Sequence, residues 1–151
     1  MAATKDRLKR DLAAALRAKD EPAKTNIRMM MGAITVAEVA GATARELSDA
    51  EEIAVVTKEM RQRRDAAAVY AEAGRTDLAE KETAEADFIS QYLPTPLTED
   101  ELVALVDEAI AALGEPPTMK HMGAVVKAVG VNAEGRAEGK QIAALVRSRL
   151  G

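Results

Sequence analysis

Cysteine is absent from the 151-residue chain, which excludes a disulfide framework, a thiol nucleophile, a thiolate zinc site and an iron–sulfur cluster. Tryptophan is absent too, and aromatic residues amount to 2%, namely Tyr70, Phe88 and Tyr92. A core with so few rings must be filled by Ala, Leu, Val, Ile and Met, which favours close helix packing over sheets. No apolar run approaches the roughly 20 residues that span a bilayer. The opening stretch from Met1 to Arg7 lacks the apolar segment of a secretion signal. A cytoplasmic location with no membrane partner is therefore expected. There is one histidine, His121, and serine occurs only at Ser48, Ser90 and Ser148. Neither a nucleophile–base triad nor an HExxH zinc site can be assembled from these, so no catalytic residue, metal or cofactor is expected. His121 falls in the opening turn of a short helix, where a solvated or packing role is expected.

What is present is a globular balance of 48% hydrophobic and 30% charged residues, arranged with helical periodicity. Leu8, Leu12 and Leu16 recur every four residues between Thr4 and Asp20, predicting a first helix. Pro22 suits the first turn of a second, carrying Ile27, Met30, Met31 and Ile34 and closed at Gly41. Ser48-Asp-Ala-Glu51 is a capping-box pattern opening a third, with Ile53, Val56, Met60, Ala67 and Tyr70 as its stripe and Gly74 as its stop. Thr76 is placed to cap a fourth, running toward Tyr92. Pro94-Thr-Pro96 cannot continue a helix and marks a lobe boundary. Thr98-Glu-Asp-Glu101 is a second capping box, flanked by Leu97 and Leu102 as a hydrophobic staple. Two short helices, Thr118 to about Val129 and Glu138 to about Leu150, complete an all-α protein of two helical lobes, 1–93 and 94–151. Net charge is −4, which argues against indiscriminate adhesion to polyanions but leaves room for a local basic site.

Charge is unevenly placed. Leu97 to Thr118 carries six acids and no base, whereas Met119 to Gly151 carries six bases and two acids. Gly135-Arg-Ala-Glu-Gly139-Lys140-Gln141 has three residues between its glycines and Gln after Lys, so it is not a Walker phosphate loop. Backbone N–H groups at the start of the last helix, with Arg136 and Lys140 beside them, could receive a phosphate, although a solvated turn whose glycines merely permit tight packing is the more common reading of such a stretch. Lys58, Arg61 and Arg64, at steps of three, form a secondary basic flank, although such a run is usually a solvated or ion-paired face. With no stacking platforms to spare, any RNA would be recognised by backbone and shape.

In order and spacing, Lys58-Glu-Met-Arg-Gln-Arg-Arg64, Ala73-Gly-Arg-Thr-Asp-Leu78, Lys81-Glu82 with Glu85, Tyr92-Leu-Pro94 with Leu97, Glu101-Leu102, Met122-Gly-Ala-Val125 and Gly135-Arg-Ala-Glu-Gly139 resemble the GatB/YqeY family over nearly the whole chain. The resemblance implies a helical N-terminal lobe and a small lobe similar to the tail of GatB, the tRNA-recognising subunit of the glutamine-dependent amidotransferase. It further implies an accessory role in carbon–nitrogen ligase biology that uses glutamine as amido-N-donor. The large catalytic GatB cradle and the amidase signature have no counterpart, so the chain alone is not expected to be a complete ligase. The tail motif falls on Gly123, Val125 and Lys127, then on Gly135, Arg136 and Ala137. Lys127, Arg136 and Lys140 are thus the candidate nucleic-acid-binding residues, and none lies on a core stripe, so their loss is expected to change stability little. The partners implied are tRNA and an amidotransferase or aminoacyl-tRNA synthetase protein. The alternative is a protein-interaction module without RNA binding, with Met29 to Met31 as an adaptable apolar surface. A carboxylate enzyme using Glu82 and Glu85 has the weakest basis, since neighbouring bases would pair with them.

Overall fold

The computed structural model describes residues 3–151; Met1 and Ala2, which open the stretch read for a secretion signal, lie outside the described residues. Among the described residues all regular structure is helical. The elements are α1 (Ala3–Ala18), α2 (Glu21–Glu38), α3 (Asp49–Glu72), α4 (Thr76–Ser90), α5 (Glu99–Ala111), a 3-10 turn (Met119–His121), α6 (Met122–Ala133) and α7 (Gly139–Leu150). They form two compact units, Met1–Leu93 and Pro94–Gly151. None of the helices described is long and apolar enough to cross a membrane.

The first unit packs α1 to α4 around Leu8, Ile27, Met30, Ile34, Val56 and Ile89. Leu16, expected in the α1 stripe, is 48% exposed, and Ala15 is buried in its place. Each four-residue step advances about 40° around a helix, so two steps carry Leu16 off the face that Leu8 occupies, whereas a seven-residue step returns Ala15 to it. Pro22 does stand in the first turn of α2, capped by the Asp20 carboxylate, which accepts from the Ala23 N–H at 3.2 Å. That helix ends at Glu38, before Gly41. Met30 is fully buried and Met29 and Met31 pack partly against the same core, so these methionines fill the interior of the unit.

Both capping boxes form. Ser48 Oγ accepts from the Glu51 N–H and Glu51 Oε1 from the Ser48 N–H, each at 3.2 Å. Arg45 pairs with the same carboxylate and, with Ser48, pulls its pKa down to about 2. Of the stripe expected along α3, Val56 is fully buried, but the core takes nothing from α3 beyond Met60, and Ala67 and Tyr70 are only half-buried. Thr76 does not cap α4. Gly74, at φ +76°, turns the chain so tightly that the Arg75 N–H bonds the Tyr70 carbonyl at 2.8 Å and Thr76 is already the first helical residue. A left-handed turn of this kind favours glycine, which has no Cβ to clash.

Glu52 is the acid of this core, with 0% exposure. Its Oε1 accepts from the Lys5 N–H at 3.4 Å, while Asp49 Oδ1 accepts from the Ala3 N–H at 2.9 Å, so two carboxylates of α3 cap the start of α1. Among the described residues the other oxygen, Oε2, has no hydrogen-bond partner. Burial pushes the Glu52 carboxyl above the usual carboxylate range, helped by Asp49 and opposed by the N–H groups of Lys5 and Thr4 and by the Lys5 charge. An acid whose pKa is raised by folding binds protons more readily in the folded state, so its ionisation removes stability as pH rises from about 4.5 upward. Glu52→Gln should therefore be more stable than the parent at pH 7, with the difference closing as pH falls toward 4.5; denaturant titration at several pH values measures it.

The second unit packs α5, α6 and α7 around Leu102, Val106, Val125, Val129, Ile142 and Val146. Thr98 Oγ1 accepts from the Glu101 N–H at 3.1 Å, and Leu97 packs on the cluster that contains Leu102, closing the staple. Helix α6 runs four residues past the expected end at Val129, because burying Ala133 holds Gly130 in a helix despite its poor propensity. The loop proper is then Glu134 to Glu138, turned by two successive left-handed residues, Glu134 at φ 51° and Gly135 at φ 77°.

Candidate nucleic-acid interface

The polarity read along the C-terminal segment partly cancels on folding. Of the six bases after Thr118, Lys120 lies 3.7 Å from Glu115, Arg136 3.5 Å from Glu101 and Arg149 3.4 Å from Asp107. Three of the six acids of the α5 segment are spent in these pairs. Among the described residues Lys127, Lys140 and Arg147 have no ion-pair partner, and all three are exposed. Lys127 stands on α6 two residues from both Val125 and Val129, hence on the side away from the core. Lys140 and Arg147 are seven residues apart on α7, about 20° from one another around the helix, and on the far side of it from the buried Ile142.

Arg136 belongs to the architecture. Its Nε donates to the Thr95 carbonyl at 2.8 Å, and its own carbonyl accepts from the Leu97 N–H at 2.8 Å. The guanidinium also reaches Glu101, a member of the second capping box. The segment before α5 is thereby fastened to the loop before α7. Losing this side chain therefore costs more than its position off the core stripes implies, since a charged donor and its carbonyl acceptor are both committed. With the side chain 36% exposed, Arg136→Ala should cost about 1 kcal/mol, visible as faster amide exchange in α5 and α7.

Glu138 is the N-cap residue of α7 and makes no side-chain capping bond, and the positive end of the helix dipole lies beside Lys140. The start of α6 is closed differently. His121 Nδ1 accepts from the Thr118 N–H at 3.0 Å and Nε2 faces Glu115 Oε1 at 2.5 Å. The imidazole does the work that Glu51 and Glu101 do in the capping boxes, at the same three-residue spacing.

The flank on α3 divides. Lys58 and Arg61 are exposed, and Arg64 pairs with Asp87 of α4 at 3.2 Å. Between them Arg63 turns inward to Glu59 at 2.7 Å and Glu85 at 4.0 Å, and also meets the Met29 sulfur. Glu85, weighed as an acid or base, is thus an ion-pair partner. Among the described residues no group of three His, Asp or Glu side chains gathers to hold a metal.

Two comparisons bear on identity. Altered inheritance of mitochondria protein 41, mitochondrial, from Meyerozyma guilliermondii, is 33% identical over 134 residues, covering 85% of this chain and 69% of that protein. The Yqey-like protein family matches residues 5–150, which takes in α1 from Lys5 onward and every later helix of both units. A match that runs through the cores of both units covers nearly the whole chain, which belongs to the Yqey-like protein family.

Proposed function

We propose that the chain is a tRNA-binding accessory protein that acts beside glutamine-dependent tRNA amidation, a carbon–nitrogen ligase chemistry it does not carry out alone. The observation that carries this reading is the trio Lys127, Lys140 and Arg147, exposed and without acidic partners in a unit whose other bases are internally paired. The resemblance of residues 94–151 to the GatB tail supplies the RNA class and the amidotransferase connection. Lysine and arginine without base-reading or stacking neighbours engage phosphates, so binding should track backbone and shape. A cytoplasmic site of action is part of the proposal; the word mitochondrial belongs to the relative's name.

The test is tRNA binding by fluorescence anisotropy across a salt series. Three phosphate contacts predict that log affinity falls against log salt with a slope of about −2 to −3. Absence of binding at low salt overturns the reading. Partners recovered from extract that persist after nuclease treatment would favour the protein-interaction alternative, and partners that vanish would favour this one.

A further inference from the structure

The first unit contains a cleft of about 460 Å³ between α2 and α4, within the size range of small-molecule sites. Helix α4 lines it with Lys81, Ala84, Glu85 and Phe88, whose spacing puts them on one face. Opposite them, α2 presents Asn26. This asparagine sits on the buried stripe with Ala23, Ile27 and Met30 and is only 8% exposed, yet among the described residues its carboxamide has no hydrogen-bond partner. The side chain is nine-tenths buried, but its amide atoms stay accessible in the cleft that it lines, where a ligand can satisfy them.

The charges of the cleft sort themselves. Glu21 is held by Lys24 at 2.8 Å and Glu85 lies 4.0 Å from Arg63. Lys81 has no partner among the described residues. Arg63 is shared with Glu59 at 2.7 Å, so the surrounding charges balance, and Lys81 is the lining charge without a counter-ion among the described residues, which suits a single ligand carboxylate. A phosphate, with a charge of about −1.5 to −2, would overmatch a single ammonium and face two carboxylates. A free ammonium on the ligand would have to compete with Lys24 or Arg63. An amide suits Asn26, which can donate and accept at once, and Pro22, Ala84 and Phe88 offer apolar surface beside it.

We propose that this cleft binds a small monocarboxylate bearing an amide and a short apolar side chain, of the N-acylated amino acid class. The carboxylate pairs with Lys81 Nζ, the amide with the Asn26 carboxamide, and the side chain rests on Phe88 and Ala84. This site uses none of the residues on which the RNA proposal rests.

The probe is N-acetyl-L-leucine, titrated into the full chain and followed by amide NMR shifts. Saturation with a dissociation constant of about 1 mM is expected for a ligand of this size, with the shifts confined to α2 and α4. N-acetyl-L-leucinamide, which lacks the carboxylate, and 4-methylpentanoate, which lacks the amide, should each bind at least about tenfold more weakly. So should the Lys81→Met and Asn26→Leu variants; Lys81 is exposed, so its variant reports even where replacement of Asn26 perturbs folding. Failure to saturate, shifts outside α2 and α4, or unchanged affinity in Lys81→Met overturns the proposal. Binding of an octapeptide ending in leucine where acetyl-leucine does not bind overturns it as well, in favour of a protein C-terminus.

Discussion

Replacing Leu102 by alanine is expected to destabilise the second unit by about 2–5 kcal/mol, the range for deleting a buried leucine side chain. Leu102 is 1% exposed and lies in a core built from only three helices. Small cores have little stability in reserve, so a loss of this size should leave a large fraction of Pro94–Gly151 unfolded. The cores of the two units share no residue. Amide exchange of the full chain should therefore show α5, α6 and α7 losing protection while α1 to α4 keep theirs. Equal loss in both units would mean that the division is one of geometry alone.

The triple variant Lys127→Ala, Lys140→Ala, Arg147→Ala, with Arg136 retained, is expected to bind tRNA about 10² to 10³-fold more weakly at about 0.1 M salt. Each phosphate contact contributes close to a tenfold factor there, because its share of the salt slope is about 0.7–0.9. The slope itself should flatten by about 2 to 3. Different RNAs should lose affinity alike, since contacts of this kind position a backbone without reading bases. Helical content should not change, as none of the three side chains is buried or paired. Unchanged affinity and slope would dismiss the patch and leave the exposed Lys58 and Arg61 as the next residues to replace.

Local patterns were the readable ones. Ser48 with Glu51 and Thr98 with Glu101 each complete their bonds within three residues, so nothing distant has to be known to foresee them. The all-helical class followed equally well from periodicity and scarce aromatics. Arg136 was misread because its acceptor, Thr95, is 41 residues away, and no spacing rule reaches that far. The candidate interface shifted for a related reason: which bases remain unpaired depends on where the α5 acids fall once the helices pack. Arg147 did carry a signal, its seven-residue interval from Lys140 on a helix whose apolar stripe runs elsewhere. Asn26 carried one as well, as a polar residue inside the run Ala23, Ile27, Met30. Thr118 and His121 repeat the capping-box spacing with an imidazole in place of a carboxylate.

Tyr92 has a consequence for the order of events during folding. Its hydroxyl donates to Asp11, and the Arg7 guanidinium lies 4.4 Å above its ring while donating to the Gln91 carbonyl at 2.9 Å. These contacts join positions 81 and 84 residues apart, bringing the two ends of the first unit together. The α3–α4 hairpin, by contrast, is closed by the three residues Ala73 to Arg75 and needs no long loop to form. Loop-closure entropy therefore favours that hairpin as an early structure and places the clasp between Tyr92 and α1 late, near the end of the climb to the native state. On a ribosome, α1 emerges before the other helices of its unit and can pack on α2 across Lys19 and Asp20, but its clasp to Tyr92 waits until α2, α3 and α4 have been made.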